Sequence, residues 1–313
     1  MIEGNEHQIK LAVKISQLHY VDKMSQTEIS RKLSLSRPTV SRALQYAISS
    51  GIVQINIRDP FDNLSEIARS LREKYQLKKV IIAKQESNLS FLDQVGKAAA
   101  SYLVDIIQDG DTIGLSWGKT LYAVAKYLKP TNLNQIHTVY LKGTVANSSH
   151  NNYSNFITTR FNEAFHTQTE ILPVPVIFDN AATHDLVLKD RFIKNVVQKA
   201  YDSNIALFTV GTTRPTAMLF NLGYLSSKQI NYLEKNSVGD IISQFIDYEG
   251  NIVDRDLISR TMALSIDNLR VKEKSILIAS GLEKLVPIHA ALTGGYANVL
   301  IIDNQVAKEL IDL

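Results

Sequence analysis

From Lys78 to the C-terminus, eight short apolar runs alternate with stretches of helical periodicity. The runs are KKVIIA (78–83), TIGLS (112–116), HTVYLKG (137–143), VPVIF (174–178), IALFTVGT (205–212), IISQFID (241–247), SILIASG (275–281) and NVLIID (298–303). Between them, segments such as LDQVGKAAASYLVDIIQ and TLYAVAKYL repeat their apolar residues at helical spacing. This order predicts a doubly wound α/β domain built on a mostly parallel sheet. Such sheets bind ligands at the carboxyl ends of their strands.

Four of those ends read LSWGKT, YLKGT, TVGTT and IASG. Each carries Gly near Ser, Thr or Lys. Glycine lets the backbone approach an anion closely, and the free N–H groups of a following helix favour negative charge. Four such ends on one sheet edge predict a phosphorylated small ligand. GLSWGKT is not a nucleotide-hydrolysing phosphate loop, because the position that needs the first glycine of that motif holds Ile113. Lys142 follows the apolar run TVYL, so its amine either reaches water from the sheet edge or stands in the ligand pocket. In the pocket it would bind phosphate or condense with an aldehyde.

The first 60 residues hold a different pattern. MSQTEISRKLSLSRPTVSRALQYAISSG reads as helix, turn, helix. Ser25 and Glu28 form a capping box for the first helix. Ser36 caps the second, Pro38 falls in its first turn, and Gly51 ends it. Val40, Ala43, Leu44, Ala47 and Ile48 make one apolar stripe. A preceding helix, about His7 to Tyr20, completes a three-helix core. That arrangement leaves Arg37, Thr39, Ser41 and Arg42 exposed at the start of the second helix, with Ser36 and Gln45 beside them and Gln26 and Thr27 opening the first. The N-terminal end of a recognition helix enters the major groove, where Arg, Ser, Thr and Gln bond base edges or phosphate. Of 34 Lys and Arg, eight lie in residues 1–60, against five of 31 Asp and Glu, so the whole net charge of +3 sits there. Double-stranded operator DNA is the predicted partner. IVQINIRD then alternates like a strand, and DPFDNLSE leads into a connecting helix, Leu64 to Tyr75. The predicted boundaries are 1–59 for the DNA-binding domain, 60–77 for linker and connecting helix, and 78–313 for the effector domain.

The chain has no cysteine, which excludes disulfides and thiol chemistry. Its seven histidines form no metal-binding cluster and the pocket loops offer no clear acid/base pair beyond Asp179 and Asp240, so no metal, cofactor or catalytic residue is expected. The sequence shows neither a signal peptide nor a membrane span, and a cytoplasmic protein is expected.

These blocks together resemble the SorC family of bacterial sugar-binding transcription regulators. The resemblance rests on SQTEISRKLSLSRPTVSRALQYA, GDTIGLSWGKTL, FTVGTTRP, VGDIISQFID and GGYANVLIID, and covers essentially the whole chain. DPFDNL, VYLKG, LPVPVIFDNA and PIHAALTGGYANVLIID are similar to the branch that regulates deoxyribonucleoside catabolism. The resemblance implies a dimeric or tetrameric repressor whose large domain is similar to sugar-phosphate isomerases. It also implies deoxyribose 5-phosphate as inducer, linked to Lys142. One departure is Thr144, where the family pattern often carries glycine. A threonine there would add a hydroxyl contact or narrow the pocket.

Under that reading GLSWGKT is one wall of a sugar-phosphate pocket. Trp117 either covers the sugar or packs in the core, and Gly118, Lys119 and Thr120 begin a helix. Gly143, Gly211, Thr212 and Gly281 shape the other loops, Gly211 and Thr212 as phosphate donors. Asp179 and Asn180 bond sugar hydroxyls or simply form a turn, Asp240 orients Lys142 or a hydroxyl or caps a strand, and Lys284 adds charge for phosphate or stands in water. The chemistry is consistent with an imine: a 5-phosphate blocks closure of a six-membered ring, and a 2-deoxy sugar leaves more open-chain aldehyde. A lysine made less basic by burial would react with it. The alternatives are an isomerase- or aldolase-like enzyme with an appended helical domain, and a regulator that senses another phosphorylated ligand. Groove-facing arginines favour a regulator. The C-terminal VAKELIDL and the linker around 60–75 are the expected assembly surfaces.

Overall fold

The computed structural model describes residues 6–53, 63–145 and 153–313. The chain divides into two units, Met1–Asp62 and Asn63–Leu313. The first holds α1 (Glu6–Ser16), which runs on through a π-turn (Gln17–Val21), then α2 (Gln26–Leu33) and α3 (Arg37–Ser49). The capping box forms: the Ser25 N–H donates to the Glu28 carboxylate at 2.8 Å, and the Glu28 N–H to the Ser25 hydroxyl at 3.3 Å. Ser34, at φ +53°, ends α2 in the left-handed region, and the Ser36 hydroxyl caps α3. Ile15, Leu18, Ile29, Val40 and Leu44 make a core of five buried side chains. Ile48 does not join them. It lies in the last turn of α3, where this small core ends, and is 46% exposed. Past Val53 the strand-like IVQINIRD lies outside the described residues, as does the start of DPFDNLSE.

In the second unit α4 (Leu64–Lys74) comes first and buries Ile67 and Leu71 in the core of that unit. Then follow β1 (Lys79–Ile82), α5 (Phe91–Ile106), β2 (Thr112–Leu115), α6 (Lys119–Tyr127), β3 (His137–Tyr140), α7 (Ser154–Phe165), α8 (Ala181–Leu188) and α9 (Arg191–Asp202). The chain continues through β4 (Ile205–Phe208), β5 (Val210–Thr212), α10 (Ser227–Asn236), β6 (Gly239–Ile241), β7 (Gln244–Ile246), α11 (Arg255–Ser259) and α12 (Ile266–Leu269). It closes with β8 (Lys274–Ala279), α13 (Leu285–Thr293), β9 (Val299–Ile302) and α14 (Asn304–Leu310).

Six strands form one parallel sheet in the order β1-β9-β8-β4-β2-β3. Alternate residues of its central strands enter two separate cores. Ile205, Leu207, Ile276, Ile278, Val299 and Ile301 face one, and Ala206, Phe208, Leu277, Ala279, Leu300 and Ile302 the other. Burial on both faces is why these strands read as unbroken apolar runs.

Three expected strands differ. VPVIF makes only isolated bridges, Thr144 with Pro175 and Ile177 with Thr261, because Pro173 and Pro175 have no N–H to give a ladder. IALFTVGT divides at Thr209 into β4 and β5. IISQFID divides around a two-residue turn, and β5-β6-β7 form a small antiparallel sheet of their own. α14 buries Val306, Ala307 and Leu310, and Lys74 of α4 donates to the Leu310 and Ile311 carbonyls. No helix among the described residues is long and apolar enough to cross a membrane.

Candidate functional site

The sheet order places the site. From β2 the chain steps outward to β3, whereas from β4 it steps the other way to β8 and β9, so the direction of winding reverses between neighbours β2 and β4. A crevice opens at the carboxyl ends of strands at such a reversal. Here it is a cleft of about 740 Å³, walled by Ser116–Thr120 after β2, Lys142 after β3, Thr209–Thr212 around β5, and Lys284 after β8.

Lys142 stands at its inner wall, 5% exposed. Its amine donates to the Ser243 hydroxyl at 3.2 Å and lies 3.8 Å from the centroid of the Trp117 ring. The Trp117 indole N–H donates to the Gly143 carbonyl at 2.9 Å, so this ring both packs in the core and faces the lysine. Burial pulls the Lys142 amine down to about 8, while the nearby Asp240 carboxylate pulls the other way. Asp240 is itself buried, and burial raises its carboxyl above the ordinary range. Its Oδ2 accepts from the Ser243 N–H at 2.9 Å. Its Oδ1 fills the place a side chain at 211 would need: a Cβ on Gly211 would stand 1.9 Å from it.

Ser243 reaches both partners through an unusual turn. Ile242 and Ser243 join β6 to β7 with φ of +42° and +69°. Two positive φ values match the tight hairpin turn that usually takes Asn-Gly. A β-branched residue is strained there. On the cleft's other side the Lys284 amine donates to the Thr120 and Thr209 hydroxyls, each at 3.2 Å. Burial brings this amine also to about 8. Gly118 has φ +134° as it turns into α6, a conformation that suits glycine, and Lys119 is exposed at the rim.

Trp117, Gly118, Lys119, Thr120, Lys142, Gly211, Thr212, Asp240 and Lys284 therefore meet at one cleft. Gly143 and Gly281 stand behind it. A Cβ at 143 would strike the Val174 and Pro175 carbonyls, and Gly281, at φ +98°, donates its N–H to Asp303. Asp179 and Asn180 do not reach the cleft. Both are exposed, and the Asn180 side chain caps α8 by accepting from the Thr183 N–H. The Thr144 hydroxyl is directed to the Val174 carbonyl, so it neither lines nor narrows the cleft. Sequence reading missed Thr209 and Ser243. Thr209 opened the TVGTT run, but Ser243 lay inside an apparent strand with no Gly, Asn or Pro to mark a turn.

In the helix-turn-helix unit Arg37, Arg42 and Gln45 are exposed on α3, Thr27 is exposed on α2, and Gln26 is half-buried. The Ser36 and Thr39 hydroxyls are 2.7 Å apart in the cap, which commits them locally, and Ser41 is half-buried. Arginine thus dominates the free face. Among the described residues no cluster of three His, Cys, Asp or Glu side chains suits a metal ion.

The family model "Putative sugar-binding domain" matches residues 59–312. The deoxyribonucleoside regulator of Bacillus subtilis is 42% identical over 97% of this chain and 97% of its own length. The sorbitol operon regulator of Klebsiella pneumoniae is 28% identical over 98% and 99%. The crystal structure of full-length SorC from K. pneumoniae superposes with a TM-score of 0.81 at 26% identity, covering 99% of this chain and 100% of that one.

Proposed function

This chain belongs to the SorC family of sugar-binding transcriptional regulators, and from that premise we propose that it is a cytoplasmic repressor of deoxyribonucleoside catabolism genes, released from its operator by deoxyribose 5-phosphate. The effector reading is carried by one observation: a buried lysine of lowered basicity faces a cleft whose opposite wall presents a second lysine between two threonine hydroxyls. The first amine suits an aldehyde carbon and the second suits a phosphate. The open-chain sugar spans them. The name of the 42% identical relative supports the deoxyribose class. An isomerase- or aldolase-like enzyme has no counterpart among the relatives named above.

Operator half-sites lie about one helical turn, or multiples of one, apart, so the chain binds as a symmetric dimer or larger assembly. The effector releases DNA only through its different affinity for the assembly with and without the matching spacing.

The test is intact-protein mass spectrometry after borohydride, with and without deoxyribose 5-phosphate. The imine between the Lys142 amine and the C1 aldehyde is expected to be reduced to a stable secondary amine, mapping to Lys142 and absent in Lys142→Ala. A wild type without adduct overturns the covalent reading and sends the effector search to other sugar phosphates.

A further inference from the structure

Among the described residues Asp240 is the one buried carboxylate lining the cleft, and its surroundings hold it in place without consuming it. One oxygen takes the Ser243 N–H, and the other lies against the bare Cα of Gly211. No ion pair closes between Asp240 and Lys142. The Ser243 hydroxyl accepts from the Lys142 amine while its own N–H holds the carboxylate, so Ser243 sets the two groups side by side. The charged groups facing Asp240 are Lys142 from the end of β3 and Lys284 from the segment before α13, with Glu283 and Lys119 beside Lys284. Arg214 lines the cleft beyond β5.

Resting on the covalent reading above, we propose that Asp240 is the acid that expels water when Lys142 condenses with the effector aldehyde. In the first step the lone pair of the neutral Lys142 amine bonds to C1. The carbonyl π pair moves to oxygen, and one proton passes from nitrogen to that oxygen, giving a carbinolamine. In the second step Asp240, as the carboxylic acid, gives its proton to the hydroxyl. The C–O bond breaks, water leaves, and the nitrogen lone pair closes the C=N bond. The products are a protonated imine, a carboxylate and water. Charge is conserved, and the new cation lies beside the new anion in a buried site.

Burial favours the starting state. It lowers the amine and raises the acid, so the neutral pair needed at the outset gains on the ionised pair. The strained Ile242–Ser243 turn has a purpose under this scheme: it places one residue's hydroxyl on the amine and its N–H on the acid.

The experiment is a borohydride-quenched time course with deoxyribose 5-phosphate on the full-length protein. Asp240→Asn keeps the shape and the acceptor for the Ser243 N–H but cannot give the proton. It is expected to slow adduct formation by about 100-fold or more. Asp240→Glu is expected to recover much of that rate. The change in binding of 2-deoxyribitol 5-phosphate, which has no aldehyde, measures what each variant loses as a contact, and trapping by Asp240→Asn should fall by about tenfold or more beyond it. The wild-type rate should rise as the Lys142 amine deprotonates near pH 8 and carry a second, opposite dependence from ionisation of the acid, and Asp240→Asn should lack that second dependence. An Asp240→Asn protein that traps as fast as wild type overturns this inference alone. Equal loss of trapping and analogue binding in both variants reduces Asp240 to a structural role and overturns it too. A wild type that traps nothing overturns the covalent reading with it.

Discussion

The two units use opposite designs. The helix-turn-helix unit closes over five buried apolar side chains and turns its charged groups outward, where water keeps them inexpensive. The large unit has two extensive apolar cores and turns its chemistry inward, onto side chains that burial holds away from their ordinary ionisation. A surface reader needs a firm outline and free side chains. A chemical sensor needs a dry, fixed cleft, and only the larger core can bear buried charge. Damage to the two units should therefore separate cleanly.

The largest separation is expected from Ile29→Ala. Ile29 is fully buried, and truncating it costs about 2–5 kcal/mol. A five-residue core has little reserve against that loss, since whole small domains are stable by only about 5–15 kcal/mol. Calorimetry should show the small unit's transition lowered or lost and the large one unmoved. Binding to a duplex selected from a random pool by the wild type should collapse, while borohydride trapping on Lys142 persists. Loss of both activities would break the comparison.

The same contrast explains what the sequence made legible. Caps, turn and second helix of the pair in the first unit are local, so Ser25, Glu28, Ser36 and Pro38 announced them within fourteen residues. Its one misplaced core member, Ile48, obeyed the helical period but ran past the core that could cover it. In the large unit, apolar runs and glycine loops announced strands and the edge where the cleft opens. They did not show which loops converge, because the cleft joins Trp117, Lys142, Thr209, Asp240 and Lys284 through a winding reversal that no local pattern records. Asp179 and Asn180 looked like ligands because Asp and Asn suit sugar hydroxyls, yet Asn180 serves a helix end. Ser243 was hidden because its tight turn is built from Ile-Ser, against the usual turn chemistry.

A smaller effect is expected from charges at each unit's own ligand. Arg42→Ala on the exposed face of α3 should weaken the selected duplex by about 1–3 kcal/mol and leave effector trapping unchanged. If Arg42 touches phosphate, the salt dependence of binding should also become shallower by about one ion. If it reads a base, the loss should concentrate on one duplex position. Weaker trapping in Arg42→Ala would blur the division between the units.

The finest test uses the same device in both. Ser25 with Glu28 and Ser226 with Gln229 are each complete capping boxes, one opening α2 and the other α10. Ser→Ala at either should cost about 1 kcal/mol. An equal cost lowers a small domain's melting temperature more, by about 4–8 °C against about 2–4 °C for a large one, because the smaller unfolding entropy converts energy into more degrees. Acid then distinguishes the boxes. The Ser25 N–H first, and its hydroxyl second, hold the Glu28 carboxyl below its ordinary range, and Ser25→Ala removes the hydroxyl's share. A depressed carboxyl stabilises the fold above its unfolded value, and that contribution fades as pH falls through the folded one. Gln229 does not titrate. The penalty of Ser25→Ala should therefore shrink in acid while that of Ser226→Ala stays constant, measured as the change in each unit's melting temperature between pH 7 and acid. Equal shrinkage of both penalties would mean that acid acts on the units at large and not through the Glu28 carboxylate.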